Sequence, residues 1–175
     1  MPSSHLQPHD YLSPEERSAI AEIEATTSIL RLVTRLTGMR FAGIAKFTDT
    51  EWITCMVHDV GELGIEEGDC EPLEVTLCSE FKRDPRALLV PRISEDVRFA
   101  TRPVVKRFDL ESYAGVPIFL PDGRLYGALC ALDSEPTLFD NPDLAETLDL
   151  FARLIGCIFY ANLAPQPAPS VAQPA

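Results

Sequence analysis

Apolar residues recur at helical spacing near each end of the chain and fall in short, strand-like runs between those ends. Ile29, Leu32, Val33 and Leu36 lie three and four residues apart, which predicts a helix with one buried face. Its start is written in Ser13, Pro14, Glu15 and Glu16: a serine cap, proline in the first turn, and a glutamate three residues on to complete a capping box. The helix is expected to run to about Met39, with Gly38 a left-handed terminator. A second helix is predicted from Asn141 and Pro142, with Asp143 near its positive end. Leu144, Leu148, Phe151, Leu154, Ile155, Ile158 and Phe159 form its apolar face.

Between the helices, Phe41 to Phe47 and Trp52 to Val60 read as strands joined by the polar turn Thr48 to Glu51. Ser112 to Leu120 and Leu125 to Leu132 form a second hairpin, in which Pro121, Asp122 and Gly123 supply turn chemistry. The run from Leu125 to Leu132 carries no charge, so both of its faces must be covered. Gly61 to Glu71, rich in glycine and acidic residues, predicts an exposed loop. Thr76 to Lys82 predicts a short helix capped by Thr76, and Ala87 to Ile93 a short strand that Pro91 assigns to a sheet edge. Ser94 to Leu110 reads as short helices over a cavity, with Ser94 capping a turn that contains Glu95 and Asp96.

This order predicts an α+β domain around a central antiparallel sheet. The chain has 175 residues, 46% of them hydrophobic, which suits one domain with a sizeable core. The expected division is a leader at 1–12, a domain at 13–163 and a Pro/Ala-rich tail or linker at 164–175. A net charge of -12 and a pI near 4.6 oppose a nucleic-acid partner. No apolar run is long enough to span a bilayer, and residues 1–12 lack the pattern of a signal peptide, so a cytoplasmic location without membrane contact is expected. Cys55, Cys70, Cys78, Cys130 and Cys157 are widely spaced with no CxxC pair, which predicts reduced thiols rather than a zinc site or disulfide framework.

Three blocks carry a resemblance: LEVTLCSEF (73–81), ISEDVRFATRPVV (93–105) and SYAGVPIFLPDGRLYGALCALDSEP (112–136). In this order, with a helix at each end, they resemble the corresponding blocks of GAF domains from bacterial sensor kinases and related signalling proteins. The resemblance covers about Ile29 to Phe159. It implies a PAS-related sheet with both terminal helices on one face, and on the other a pocket lidded by residues around Arg98 to Phe108. It further implies a non-catalytic sensory domain that binds a small molecule and signals through its terminal helices to an output partner such as a kinase or cyclase domain, as a homodimer. The alternatives are a dimerisation or interaction module with a filled interior, and an enzyme of the methionine sulfoxide reductase type.

Trp52, Cys78, Phe99, Val105, Phe108, Tyr113 and Phe119 are the candidate pocket residues, an apolar set with a few polar handles. Cys78 and Cys130 read first as buried packing residues, with a redox role as the alternative. In related photoreceptors the cysteine that links a bilin is commonly followed by histidine; here Ser79 follows Cys78, which argues against a covalent bilin. His58 lacks the company a haem or metal site needs, and its spacing of three from Cys55 predicts opposite strand faces, which opposes a catalytic dyad. The asparagine-containing signature of cyclic-nucleotide GAF domains cannot be matched, because the asparagines are Asn141 and Asn162. Arg98, Arg102, Lys106 and Arg107 are expected to be solvated and paired with Glu95, Asp96 and Asp109, and Asp133 to fix a turn.

Overall fold

The computed structural model describes residues 12–163; the expected tail at 164–175, and all of the expected leader except Leu12, lie outside these residues. Helix α1 (Pro14–Thr37) opens with the expected capping box: Ser13 Oγ accepts from the Glu16 N–H at 3.1 Å, and Glu16 Oε2 accepts from the Ser13 N–H at 2.7 Å. It ends at Thr37, two residues before the expected Met39, because Gly38 takes φ +72° and its N–H closes on the Thr34 carbonyl. The buried face also differs. Thr26, Ile29, Leu30 and Val33 face the core, whereas Leu32 and Leu36 are half-exposed.

Strands β1 (Phe41–Phe47) and β2 (Glu51–Asp59) form the first hairpin, and β3 (Cys70–Pro72) adds a short edge to β2. Three 3-10 segments follow in the connections: Leu73–Val75, Leu77–Lys82 and Ile93–Glu95. Strand β4 (Leu88–Val90), helix α2 (Pro103–Arg107), strands β5 (Ser112–Phe119) and β6 (Leu125–Asp133), and helix α3 (Leu144–Leu163) complete the order. Asn141 and Pro142 precede α3 rather than start it: the Asn141 side chain accepts from the Asp143 N–H and its carbonyl from the Leu144 N–H. Two expected caps are also replaced. Thr76 Oγ1 donates to the Leu73 carbonyl, and Ser94 Oγ donates to Glu111, so neither side chain caps the segment after it.

The six strands pair antiparallel in the order β3-β2-β1-β6-β5-β4, with β4 at an edge as Pro91 indicated. Strand alternation divides the core in two. Ala114, Val116 and Ile118 of β5 and Leu129 and Ala131 of β6 face α1 and α3. Tyr113 of β5 and Ala128, Cys130 and Leu132 of β6 face the other way, beneath the segment from Leu73 to Leu110. On α3, Leu144, Leu148, Ile155 and Phe159 are buried while Leu150 and Leu154 are half-exposed. Gly156 allows the close approach of α3: a Cβ there would stand 2.3 Å from the Phe119 carbonyl oxygen. The expected exposed loop is only partly so, since Ile65 turns inward and is 3% exposed.

Candidate functional site

The face of the sheet away from the terminal helices is roofed by short pieces rather than by a long helix. Leu77 and Cys78 come from one 3-10 segment, Val104 from α2, and Leu110 from the residues before β5. Arginines hold these pieces together. Arg102 Nη1 donates to the Glu74 and Thr76 carbonyls and to Ser79 Oγ, and the guanidinium carbons of Arg98 and Arg102 lie 4.7 and 5.6 Å from the centre of the Phe99 ring. Arg98 pairs with Asp96 as expected, at 2.8 Å, while Arg107 pairs with Glu71 rather than with Asp109.

Beneath this roof is a cavity of about 20 Å³. Trp52, Tyr113, Cys130 and Leu132 line it from the sheet, Leu77, Cys78, Val104 and Leu110 from the roof, and no lining side chain is charged. The volume exceeds the roughly 10–15 Å³ that one water needs and is far below that of a metabolite site. Of the seven residues singled out from the sequence, Trp52, Cys78 and Tyr113 line this cavity. Phe99, Val105 and Phe108 pack around it in the same apolar cluster without lining it. Phe119 does not join it: a register irregularity between Ile118 and Phe119 ends the alternation, and the ring is 40% exposed.

Cys78 is where the polar groups of the cavity converge. Its Sγ lies 3.1 Å from Tyr113 Oη. The Tyr113 ring reaches that position by lying over Gly115, where a Cβ would stand 2.2 Å from the phenolic oxygen. The Cys130 thiol acts most strongly on Cys78 and lowers its pKa; burial opposes it, and Tyr113 adds to the lowering, so the thiol is held below its ordinary value. Tyr113, by contrast, is pushed up first by burial and then by Cys78, and Cys130 is pushed up by Cys78 and by burial. Among the described residues, two buried side-chain polar atoms have no hydrogen-bond partner, Trp52 Nε1 and Thr54 Oγ1. Register places both residues on the cavity side of β2, opposite Phe47 and Ala45. Two such orphans on one face of one strand are costly unless the site uses them.

These neighbours of Cys78 were hidden in the sequence because they come from β2, β5 and β6. The available signal was spacing: Tyr113 and Gly115 share one face of a strand, and so do Cys130 and Leu132. A bulge in β2 overturns the expected placement of Cys55 and His58 on opposite strand faces. Cys55 stands at the register shift of β2, so Cys55 and His58, which pairs with Ala42, both fall on the helix side. The Cys55 sulfur approaches Tyr126 Oη at 3.8 Å, and burial pushes its pKa up. Asp133 fixes a turn as expected, accepting from the Glu135 N–H, and it also binds the backbone and guanidinium of Arg40. Among the described residues no group of three or more His, Cys, Asp or Glu side chains could hold a metal ion, and no helix is long and apolar enough to cross a membrane.

Comparison with known families and structures places this geometry. The family model for the GAF domain matches residues 22–158. A far-red cyanobacteriochrome photoreceptor superposes with a TM-score of 0.66 at 14% identity, over 85% of this chain and 91% of that one. Free methionine-R-sulfoxide reductase from Neisseria meningitidis, in complex with its substrate, superposes with a TM-score of 0.61 at 17% identity, over 85% and 84%. A domain of a two-component sensor histidine kinase protein from Sinorhizobium meliloti 1021 gives 0.52 at 14% identity, over 76% and 87%. At these identities the likeness is one of fold. No curated protein matches the chain.

Proposed function

The chain belongs to the GAF domain family, and on that footing we propose that it is a non-catalytic regulatory module whose input is received in the cavity around Cys78. The change is passed through α1 and α3 to an output partner. The observation that carries this reading is an apolar, uncharged cavity on the sheet face away from the terminal helices, lined by Trp52, Cys78 and Tyr113. Entry requires the roof to shift, and a roof of short 3-10 segments and a five-residue helix can rearrange more cheaply than a long packed helix. Binding in the roofed state alters Tyr113 and Cys130, and through β5 and β6 the sheet face on which α3 rests.

A thermal-shift screen of neutral small molecules against the reduced protein tests this. A ligand that prefers the native state raises Tm, by the equivalent of about 2.7 kcal/mol at a hundredfold excess over Kd. Trp52→Phe is expected to reduce the shift. No shift from any compound, together with protein that carries no small molecule on native mass spectrometry, would sink ligand binding.

A second reading is favoured by the small volume of the cavity. The interior is then filled, and the domain serves dimerisation or docking. Leu32 and Leu36 on α1, and Leu150 and Leu154 on α3, are four residues apart on each helix and half-exposed, which suits a helical interface between two copies. The two readings are compatible, since a signalling module can report through such an interface.

A further inference from the structure

The walls of the cavity beneath the roof decide against a polar occupant. Thr76 Oγ1 is committed to the Leu73 carbonyl at 2.7 Å, and Tyr113 Oη to Cys78 Sγ at 3.1 Å. What is left facing the space is apolar, much of it from Trp52, Leu77, Val104, Leu110 and Leu132. A buried water needs about two to four polar partners. It finds none here, so the space is dry although its volume of about 20 Å³ would admit one water.

A dry gap has its own cost, because atoms facing it lose the dispersion contacts that a packed neighbour would supply. The groups that lose most are polarisable: the rings of Trp52 and Tyr113 and the sulfurs of Cys78 and Cys130. An occupant restores those contacts without any hydrogen bond if it is apolar, neutral and no larger than one or two heavy atoms. We propose that the cavity is a binding site for an apolar diatomic gas, of which dioxygen is the type, held by dispersion alone. Binding is reversible; no bond forms and no electron moves. This rests on the reading that the cavity receives the input, and it narrows that input to one chemical class.

Such a molecule also asks least of the roof. Arg102 clips the Glu74 and Thr76 carbonyls and Ser79 Oγ together, and a metabolite would have to break those bonds to enter. Two atoms pass on a small fluctuation of the short segments, with the clip intact.

Dioxygen is paramagnetic, so it speeds the nuclear relaxation of the groups beside which it resides. The full chain with isotope-labelled methyl groups is equilibrated under dioxygen, and under dinitrogen at equal pressure as the diamagnetic reference. The expected result is a relaxation enhancement at Leu77, Val104, Leu110 and Leu132 at least about threefold above that at Ile118, Leu129 and Ile155, which are at least as buried on the helix side of the sheet. Val104→Leu pushes one more methylene into the cavity and is expected to abolish the excess. Val105→Leu, one residue on and outside the lining, is expected to preserve it. Equal enhancement on the two sides of the sheet overturns the proposal and marks the space as a packing void, and the wild-type comparison decides this even if a variant fails to fold. An excess that survives in folded Val104→Leu overturns it as well. The two readings fail separately. A compound that raises Tm where dioxygen shows no excess removes the gas and leaves the cavity as the input site. Localised dioxygen with no chemical-shift change in α1 or α3 keeps the gas site and removes its signalling role.

Discussion

The carboxylate of Asp133 lies at the end of β6 with only 5% of the residue exposed, and it accepts from the Arg40 backbone and guanidinium and from the Glu135 N–H. Burial raises its pKa, but the hydrogen bonds and charge of Arg40 and the Glu135 N–H lower it further, so the net value is below that of a free aspartate. The sign follows from that depression. The carboxylate stabilises the fold fully above the unfolded-state value of about 3.9, and this contribution is lost as pH falls through the lower folded value. Asp133→Asn is expected to cost about 1.5–3 kcal/mol near neutral pH, because charge-assisted bonds are lost from a buried site. Urea denaturation at several pH values checks it: the gap between wild type and variant should close as the pH drops below about 4. A gap that is constant with pH would show that packing rather than charge is responsible.

At the scale of elements, the contact between α3 and β5 gives a prediction whose sign distinguishes two effects. Helix propensity alone makes Gly156→Ala stabilising by up to about 1 kcal/mol. The Cβ, however, would stand 2.3 Å from the Phe119 carbonyl oxygen, and backbone cannot yield as a side-chain tip can. The variant is therefore expected to be less stable by about 1–3 kcal/mol, read as a lower urea midpoint at unchanged slope. Elements of this kind divide sharply in how well the sequence announces them. The Ser13 capping box, the left-handed Gly38 and the Pro121-Asp122-Gly123 turn were legible because each is settled by residues within a few positions. The buried side of α1 was not, because choosing between Leu30 and Leu32 requires knowing where the sheet lies. Phe119 and Cys55 were misplaced by irregularities in strand register, which no alternation rule anticipates. The setting of Cys78 was hidden for a third reason: its partners arrive from three separate strands.

For the whole molecule, the sheet has one face under the terminal helices and one under the short roof segments. The charge of -12 keeps copies apart in solution unless an apolar patch brings them together. If the half-exposed leucines of α1 and α3 form such a patch, Leu32→Glu with Leu154→Glu is expected to convert a dimer to a monomer in analytical ultracentrifugation while leaving the far-ultraviolet circular dichroism unchanged. A wild type that sediments as a monomer across the micromolar range would rule out the helical interface.

The order of strands also bears on how the chain reaches this state. Phe41 pairs with Leu132, so the first of the described strands to be synthesised waits, with one long edge open, for the last of them. The hairpin of β1 and β2 can close locally, but its middle-strand partner is missing until the domain is almost fully synthesised. Such delayed, distant pairing slows folding and leaves an apolar edge available to neighbouring nascent chains. Strand order thus makes synthesis itself a period of aggregation hazard, for as long as β1 waits for β6.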